Sequence, residues 1–376
     1  MCGCQQRKFS RKECMLLITV LSTAIIYVYL QYLSTTDHKQ SVDEQETTKQ
    51  SVRIENYDVL LSSYMRSGST LTGSILGWRN DSFYVYEPLW KKSTWTYWHG
   101  NSHVCRADRS DCRLSTGSLV SAMKILKDIY DCQFIDFAKT AFQPNLTDYF
   151  GGPSWGQMQA CRKHTRNNTL CLHKYIPETC RKAKHRVTKV LRLSTDLLAD
   201  ILRARENLKV IHLFRDPRAI INSRIETEWY PIREEKEIIE NAKTLCNKML
   251  YDLKEGQKLL NMFPDRFKII YYEDFNENPF NKSKEIFKYL GMELDEHRYP
   301  KLRTFSVFSN AKNATQREKN TAFWWRKTLK WGILQKIDYV CMDVNTELGY
   351  KCFTNLQEFK NYSLSSVDIP KKYLIV

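Results

Sequence analysis

Residues 58–71, with the sequence DVLLSSYMRSGSTL, begin as an apolar run typical of a buried strand and then break into a polar turn at 66–70. Residues 209–224, KVIHLFRDPRAIINSR, repeat the arrangement: a second apolar strand breaks into RDP at 215–217 and continues as a helix. A turn between a strand and a helix N-terminus presents backbone N–H groups, which favour a bound anion. Two such units in one chain predict a ligand that carries phosphate groups at both ends.

The chain of 376 residues is strongly basic, with 58 Lys and Arg against 42 Asp and Glu, which gives a net charge of +16 at pH 7. This charge favours anionic partners such as nucleotides, acidic glycans and phospholipid head groups. A basic surface that is simply solvated is the alternative. The length suffices for one large domain or two small ones with a full hydrophobic core.

Residues 15–33 form an uncharged apolar run that would span roughly 28 Å as a helix, close to the thickness of a bilayer core. Basic residues precede the run and acidic residues follow it, so the positive-inside rule places the N-terminus in the cytosol and the rest of the chain in the lumen. The run is too long for an ordinary signal peptide, and no A-x-A cleavage site closes it. We therefore predict a cytosolic tail at 1–14, a transmembrane signal-anchor at 15–33 and a flexible polar stem at 34–54.

Nine cysteines follow the predicted anchor, and in an oxidising compartment most of them should form disulfides. The odd number leaves one thiol free or in an intermolecular bond. Close spacing makes Cys105–Cys112 and Cys341–Cys352 the expected local bridges, although spacing does not assign connectivity. No C-x-x-C pair occurs, which argues against zinc and thioredoxin-like sites. A secretory route agrees with six N-x-[ST] sequons, at Asn80, Asn145, Asn167, Asn281, Asn313 and Asn361.

Strand and helix patterns alternate along the chain from residue 55 onward. The predicted strands are at 58–65, 82–85, 186–192, 210–214 and 267–272, and the predicted helices are at 68–78, 195–204, 238–263 and 280–290. Such alternation is typical of βαβ units, and hence of an α/β fold with a central parallel sheet flanked by helices. The cysteine-rich region 90–184 is interpreted as a disulfide-tied insertion with helices around 119–137. We expect one luminal domain at 55–355 and a C-terminal tail at 356–376.

The first polar turn contains groups suited to an anion. Gly68 lets the backbone approach a ligand closely, and Arg66 adds a fixed positive charge. Hydroxyl donors come from Ser67, Ser69 and Thr70. The lysine-containing pattern of a Walker A loop is absent. Taken alone, the segment is equally compatible with an ordinary surface turn.

The second turn is more informative. Pro217 suits a first helical turn and Asp216 suits the N-cap before it. Arg215 ends the strand and Ser223 lies about two helical turns later, so both side chains are expected to face one phosphate, with Arg215 bidentate. The alternative is a capping arginine in a salt bridge and a solvated serine.

The order of these motifs resembles one known family. The chain resembles the Golgi carbohydrate 6-O-sulfotransferases in several segments. These are RSGST at 66–70, FYVYEPLW at 83–90, and HLFRDPRA at 212–219 followed by SR at 223–224. The resemblance continues through YED at 272–274, FS at 308–309, KN at 312–313, WR at 325–326 and LGY at 348–350. Members of this family transfer a sulfuryl group from 3′-phosphoadenosine 5′-phosphosulfate (PAPS) to the 6-hydroxyl of galactose, N-acetylgalactosamine or N-acetylglucosamine.

The resemblance implies a P-loop-like sulfotransferase fold and a donor site shared by the two turns. It implies that the 5′-phosphosulfate is held by Tyr64, Met65, Arg66, Ser67, Gly68, Ser69 and Thr70. It implies that the 3′-phosphate is held by Arg215, Asp216, Pro217, Arg218, Ala219, Ile220, Ile221, Asn222 and Ser223. Weaker candidates for contact with donor or glycan are Arg192, Lys312 and Arg326, each with a structural ion pair or contact as the alternative.

For catalysis we expect Arg66 to stabilise negative charge on the leaving phosphate and Glu87 to take the proton of the acceptor hydroxyl. Burial is expected to raise the pKa of Glu87. The alternative is a glutamate at the edge of the core that is paired with a lysine or arginine. No metal is expected in the reaction.

The predicted partner is a glycan or proteoglycan acceptor, and the predicted location is the Golgi membrane, with a single type II span and a luminal catalytic domain. Nucleic acid is not an expected partner, and a homodimer is left open. A tyrosylprotein sulfotransferase and a glycosyltransferase are alternative enzymes, although the latter often carries a D-x-D metal motif that is absent here. A membrane-tethered lectin is the alternative without catalysis.

Overall fold

Strand β1 (Asp58–Ser63) lies at the centre of the fold, and all six of its residues are buried. Val59 and Leu61 pack into one layer of apolar side chains and Leu60 into the other, because successive residues of a strand point to opposite faces. A strand that is apolar on both faces is typical of a parallel sheet covered by helices on each side.

The computed structural model describes residues 57–77, 79–90, 96–99, 103–106, 112–114, 116–134, 150–151, 153–167, 170–171, 175–228, 230, 232–277, 279–294, 322–370 and 373. The chain divides into two units, Met1–Ile54 and Glu55–Val376. The tail, signal-anchor and stem expected at 1–54 lie outside the described residues. Within the described ranges, every helix is too short or too polar to cross a membrane.

The remaining elements follow in chain order. The strands are β2 (Ser82–Tyr86), β3 (Thr96–His99), β4 (His103–Arg106), β5 (Cys112–Leu114), β6 (Phe150–Gly151), β7 (His185–Val190), β8 (Leu208–Phe214) and β9 (Phe267–Tyr271). The helices are α1 (Ser69–Gly77), α2 (Thr116–Tyr130), α3 (Pro153–Thr165), α4 (Ile176–Lys182), α5 (Thr195–Ala204), α6 (Pro217–Ile225), α7 (Glu235–Met262), α8 (Tyr272–Glu277), α9 (Pro279–Leu290), α10 (Trp325–Thr328), α11 (Trp331–Val340), α12 (Met342–Leu348) and α13 (Leu356–Lys360).

The main sheet has the strand order β6-β2-β7-β1-β8-β9. Its neighbouring strands are parallel except β6, which runs antiparallel to β2. The expected α/β fold, with a central parallel sheet flanked by helices, is confirmed. A second, antiparallel sheet of β3, β4 and β5 belongs to the predicted insertion. Because β1 and β8 are adjacent and parallel, the segments that follow them emerge side by side at one edge of the sheet.

Three disulfides are present among the described residues: Cys132–Cys180, Cys161–Cys171 and Cys246–Cys341. The expected Cys341–Cys352 bridge is therefore wrong. Cys341 follows α11, which packs against α7, so its partner comes from α7, while Cys352 is an exposed free thiol. Cys105 and Cys112 are opposite one another in the β4–β5 register, and their bridge stays a prediction.

The segment expected as a C-terminal tail contains α13, whose Phe359 is completely buried. Arg326, on α10, donates hydrogen bonds from its guanidinium to the carbonyls of Phe359, Asn361 and Leu364 at 2.6–3.2 Å. These hydrogen bonds, together with the contact between the Trp325 and Phe359 rings, hold residues 359–364 against α10.

Candidate active site

The two polar turns predicted from sequence meet in the structure. The Arg215 guanidinium donates a hydrogen bond to the carbonyl of Arg66 at 2.9 Å. The Nε of Arg66 donates to the Oγ of Ser223 at 3.0 Å. Residues separated by about 150 positions in sequence therefore line one place, at the ends of the adjacent strands β1 and β8.

The first turn has a backbone that only particular residues adopt at low cost. Ser67 donates its N–H to the carbonyl of Tyr64 at 3.2 Å, and both Arg66 and Gly68 have positive φ angles, 74° and 87°. A Cβ atom at Gly68 would lie 2.2 Å from the ring of Tyr272, so a side chain is excluded by space as well as by φ. Gly68 thus brings the backbone and the start of α1 into close contact with α8.

Two arginines of the second segment bind the carbonyl side of the first turn. Arg215 donates to the Arg66 carbonyl, and Arg224, from α6, donates to the Met65 carbonyl at 3.2 Å. Partial burial and then the neighbouring Arg215 lower the pKa of Arg66 below its usual value. Because the two guanidinium groups repel each other, a bound anion between them would be favourable.

The second turn follows the predicted capping pattern. The Asp216 side chain caps α6 by accepting the N–H of Arg218 at 2.9 Å, and Pro217 is the first residue of the helix. Glu273, on α8, accepts the N–H of Asp216 at 2.9 Å. Burial, and then the neighbouring Asp216, raise the pKa of the Glu273 carboxyl group to about 7. The Arg215 guanidinium lies 4.6 Å from the centre of the Tyr272 ring, so α8 contacts both turns.

Arg218 does not face the first turn. It is completely buried, with its guanidinium 2.8 Å from Asp216 and 3.3 Å from Asp338, and it donates to the carbonyl of Lys351 at 2.8 Å. Its guanidinium also lies 4.6 Å from the ring of Trp325. The side chain is therefore occupied between α6, α10 and residues 351–366, where it has structural partners.

Some of the other residues assigned to the second turn also face away from the first turn. Ala219, Ile220 and Ile221 are buried in the apolar core. Asn222 donates from Nδ2 to Thr328 on α10 at 2.8 Å. Of the predicted set, Arg215 and Ser223 form side-chain hydrogen bonds with the first turn, and they are the pair that the helical spacing had placed on one face.

Glu87 is held between two cations. Its carboxylate oxygens lie 2.8 Å from Lys189 and 2.8 Å from Arg192, and its side chain is 9% exposed. Burial acts to raise the pKa of Glu87, but Lys189 and Arg192 outweigh it and hold the pKa below its usual value. The expectation of a raised pKa is therefore wrong. The φ of Glu87 is 42°, an uncommon value for a residue with a side chain and a form of backbone strain found at functional sites.

Lys189 connects Glu87 with the first turn. It is completely buried on β7, and its Nζ donates to the Oγ1 of Thr70 at 3.2 Å and lies 3.7 Å from the centre of the Tyr86 ring. A buried ammonium that contacts the residues following β1 and β2 adds positive charge where the sequence predicted an anion.

Tyr64, Ser67 and Ser69 are buried beneath the turn. The Tyr64 hydroxyl donates to Asp252 on α7 at 2.9 Å, and the Ser67 Oγ donates to the Tyr64 carbonyl at 2.7 Å. Met65 is half-buried against the core. These side chains support the turn from below, while Arg66 and Thr70 are exposed above it.

Sequence reasoning missed Lys189 and Arg224. A lysine inside a strand that must be buried was the available signal for Lys189, and the arginine that follows Ser223 was the signal for Arg224. Arg192 does contact Glu87. Arg326 instead donates hydrogen bonds to carbonyls within residues 359–364. Lys312 lies outside the described residues. In the described part of the chain, no group of three or more His, Cys, Asp or Glu side chains is arranged to hold a metal ion.

A covered parallel sheet with two cationic turns at neighbouring strand ends defines an α/β protein with a candidate site for an anionic ligand. The chain belongs to the sulfotransferase family, since residues 56–341 match the family described as Sulfotransferase domain. It is an enzyme of this class, and the expected relation to the carbohydrate sulfotransferases is confirmed.

Relatives include Carbohydrate sulfotransferase 1 of Danio rerio, 28% identical in a match that covers 82% of this chain and 81% of the relative. Carbohydrate sulfotransferase 4 of Mus musculus is 24% identical, with 93% of this chain and 94% of the relative covered. Among solved structures, mouse sulfotransferase SULT7A1 complexed with PAP has a TM-score of 0.41 and 12% identity, over 82% of this chain and 89% of that chain.

Proposed function

We propose that this enzyme transfers a sulfuryl group from PAPS to the 6-hydroxyl of galactose, N-acetylgalactosamine or N-acetylglucosamine in a glycan or proteoglycan. The observation that carries the proposal is the convergence of the two turns through the Arg215–Arg66 and Arg66–Ser223 hydrogen bonds. A donor with a phosphosulfate at one end and a phosphate at the other matches two cationic turns in one site. The family relation supports the same donor and a sugar acceptor.

The donor is divided between the turns. The N–H groups at the start of α1, together with Arg66, hold the 5′-phosphosulfate, and Arg215 and Ser223 hold the 3′-phosphate. Lys189 adds a buried positive charge beside Thr70. Arg66 and Arg215 are already held by hydrogen bonds to Ser223 and to the Arg66 carbonyl, so their stabilisation of charge requires little reorganisation during the reaction.

In the transfer, the bond between sulfur and the bridging phosphate oxygen breaks, and its electron pair remains on the phosphate. A new bond forms between sulfur and the sugar oxygen, and the hydroxyl proton passes to Glu87. A carboxylate with a lowered pKa is a weak base, but it is ionised at neutral pH and ready to accept this proton. Arg66 and the N–H groups stabilise the charge that develops on the phosphate. The products are a 6-O-sulfated sugar and 3′,5′-ADP.

The same proposal includes a Golgi location with a single type II span at 15–33 and a luminal catalytic domain. The uncharged run between basic and acidic flanks supports the span. Disulfides in the described domain support an oxidising compartment.

The test is an assay with labelled PAPS and keratan, chondroitin, simple N-acetylglucosamine acceptors and a tyrosine-containing acidic peptide. We expect label at C6 of one of the sugars and none on the peptide. Thermal unfolding with 3′,5′-ADP is measured in parallel. A nucleotide at 100 times its Kd should stabilise the enzyme by about 2.7 kcal/mol, and a lectin should not respond. Sulfation of the peptide alone would refute the sugar acceptor.

A further inference from the structure

A closed ring of four buried hydrogen bonds lies under the two turns. Thr195 and His212 are joined through Oγ1 and Nδ1 at 3.1 Å, and His212 and Tyr64 through Nε2 and the hydroxyl at 3.1 Å. The Tyr64 hydroxyl donates to Oδ2 of Asp252 at 2.9 Å, and the Thr195 N–H donates to Oδ1 of Asp252 at 2.8 Å. All four residues are at least nine-tenths buried.

The direction of each proton in the ring follows from burial. Burial and then Asp252 raise the pKa of Tyr64, so its hydroxyl stays protonated and donates to the carboxylate. Burial lowers the pKa of His212 to about 3, so the ring is neutral, with one nitrogen that donates and one that accepts. The Tyr64 oxygen then accepts from Nε2, and Nδ1 accepts from the Thr195 hydroxyl. Every member of the ring has a partner, which makes a buried polar network rigid.

The ring connects the two strands that lead into the turns. Tyr64 lies two residues before Arg66, and its carbonyl accepts the N–H of Ser67. His212 is on β8, three residues before Arg215. The register between β1 and β8 ends at the pair Ser63 and Leu213, so beyond this point the backbone ladder no longer joins the two segments. The ring spans the end of this ladder, because His212 still pairs with Ser62 and Tyr64 directly follows the last pair.

We propose that Asp252 is a positioning residue that sets the two turns relative to one another through Tyr64 and His212. The inference rests on the proposed function, since the quantity that Asp252 controls is the fit of both turns to one nucleotide. The distance between the two anion sites must match the donor closely, and side chains locked by buried hydrogen bonds provide such precision. Tyr64 acts from beneath the turn and does not contact the donor through its hydroxyl.

The structure offers a matched control in Tyr97. The hydroxyl of Tyr97 donates to the same Oδ2 of Asp252, at 2.6 Å, but Tyr97 is on β3 in the insertion and does not lead into a turn. Tyr64→Phe and Tyr97→Phe each remove one hydroxyl from one carboxylate oxygen. They differ in that Tyr64→Phe also breaks the ring.

The experiment measures the Kd of 3′,5′-ADP, the KM of PAPS and stability to urea for the unsubstituted enzyme, Tyr64→Phe, Asp252→Asn and Tyr97→Phe. We expect Tyr64→Phe and Asp252→Asn to weaken 3′,5′-ADP binding and raise the PAPS KM by about tenfold, the effect of losing a hydrogen bond to a charged group. We expect Tyr97→Phe to lose stability but to keep both constants within about twofold of those of the unsubstituted enzyme. A double variant, Tyr64→Phe with Asp252→Asn, should bind no more weakly than Asp252→Asn alone, because both changes break one ring.

Equal losses of nucleotide affinity in Tyr64→Phe and Tyr97→Phe would assign Asp252 a merely structural role and overturn the inference. Unchanged affinity in Tyr64→Phe would also overturn it. If Asp252→Asn does not fold, the Tyr64→Phe and Tyr97→Phe comparison alone decides. Failure of the unsubstituted enzyme to bind 3′,5′-ADP would instead overturn the proposed function, and this inference with it.

Discussion

Replacing Glu87 with Gln keeps the shape of the side chain and removes its charge. The carboxylate is 2.8 Å from each of two cations, Lys189, which is completely buried, and Arg192, whose side chain is 8% exposed. Removing one member of a buried ion pair costs about 3–5 kcal/mol, because the remaining charge has no compensation. The Gln carbonyl still accepts one hydrogen bond, so we expect a loss of about 3 kcal/mol in unfolding free energy.

The effect on turnover is separate from the effect on stability. Loss of a general base lowers kcat by about 10²–10⁴, and we expect Glu87→Gln to fall in this range while the Kd of 3′,5′-ADP changes little. Equilibrium unfolding in urea, nucleotide titration and kcat are measured on the same preparations. Glu178→Gln is the control, since Glu178 forms an exposed pair with Lys182 and should behave as the unsubstituted enzyme.

The pH dependence follows from the lowered pKa of Glu87. A carboxyl group whose pKa is lower in the folded state stabilises the protein above its usual value of 4.5, and this contribution is lost as the pH falls through the folded pKa. The acid limb of kcat/KM should therefore lie below pH 4.5 and disappear in Glu87→Gln.

A kcat of Glu87→Gln within tenfold of that of the unsubstituted enzyme would refute Glu87 as the base. Loss of nucleotide binding together with turnover, in a folded variant, would show a structural role.

Two further substitutions test the turns. Gly68→Ala should lower the free energy of unfolding by about 2–5 kcal/mol, of which about 1–2 comes from the positive φ and about 1–3 from contact with Tyr272. It should also raise the PAPS KM. Gly332→Ala, where a Cβ meets nothing within 4 Å, is the matched control in urea unfolding. Arg218→Met should lower stability by about 3–5 kcal/mol, because Asp216 and Asp338 lose their shared cation. Unchanged thermal stability of Arg218→Met, with nucleotide binding lost, would instead assign Arg218 to the donor.

Much of the fold could be predicted because its elements have local signals. The buried strands β1 and β8 are continuous apolar runs. The N-cap of α6 is indicated by two adjacent residues, Asp216 and Pro217. The order of strands in a sheet is not visible in the sequence, so the sequence did not show that β1 and β8 are adjacent. The convergence of the two turns could therefore be inferred only from the similarity of their motifs. The antiparallel strand β6, two residues long, gave no pattern of its own.

The parts that could not be predicted depend on which face of an element meets which neighbour. Arg218 lies three residues from Arg215, but the first turn of α6 directs it to Trp325 on α10, Asp338 on α11 and the carbonyls of Lys351 and Ser366, away from the first polar turn. Burial alone suggested a raised pKa for Glu87, because the sequence did not show that Lys189 and Arg192 both reach it. Cys341 pairs across helices with Cys246, a contact that spacing along the chain does not indicate.

The carbonyls that Arg218 requires come from Lys351 and Ser366. During synthesis, α6 therefore leaves the ribosome long before the residues that complete its surroundings. Until translation reaches Ser366, the Arg218 guanidinium on this helix lacks two of the acceptors that it has in the complete fold. A nonsense mutation near codon 350 would thus remove no residue of the proposed donor site, and yet we expect the shortened protein to unfold at a lower temperature than the full chain.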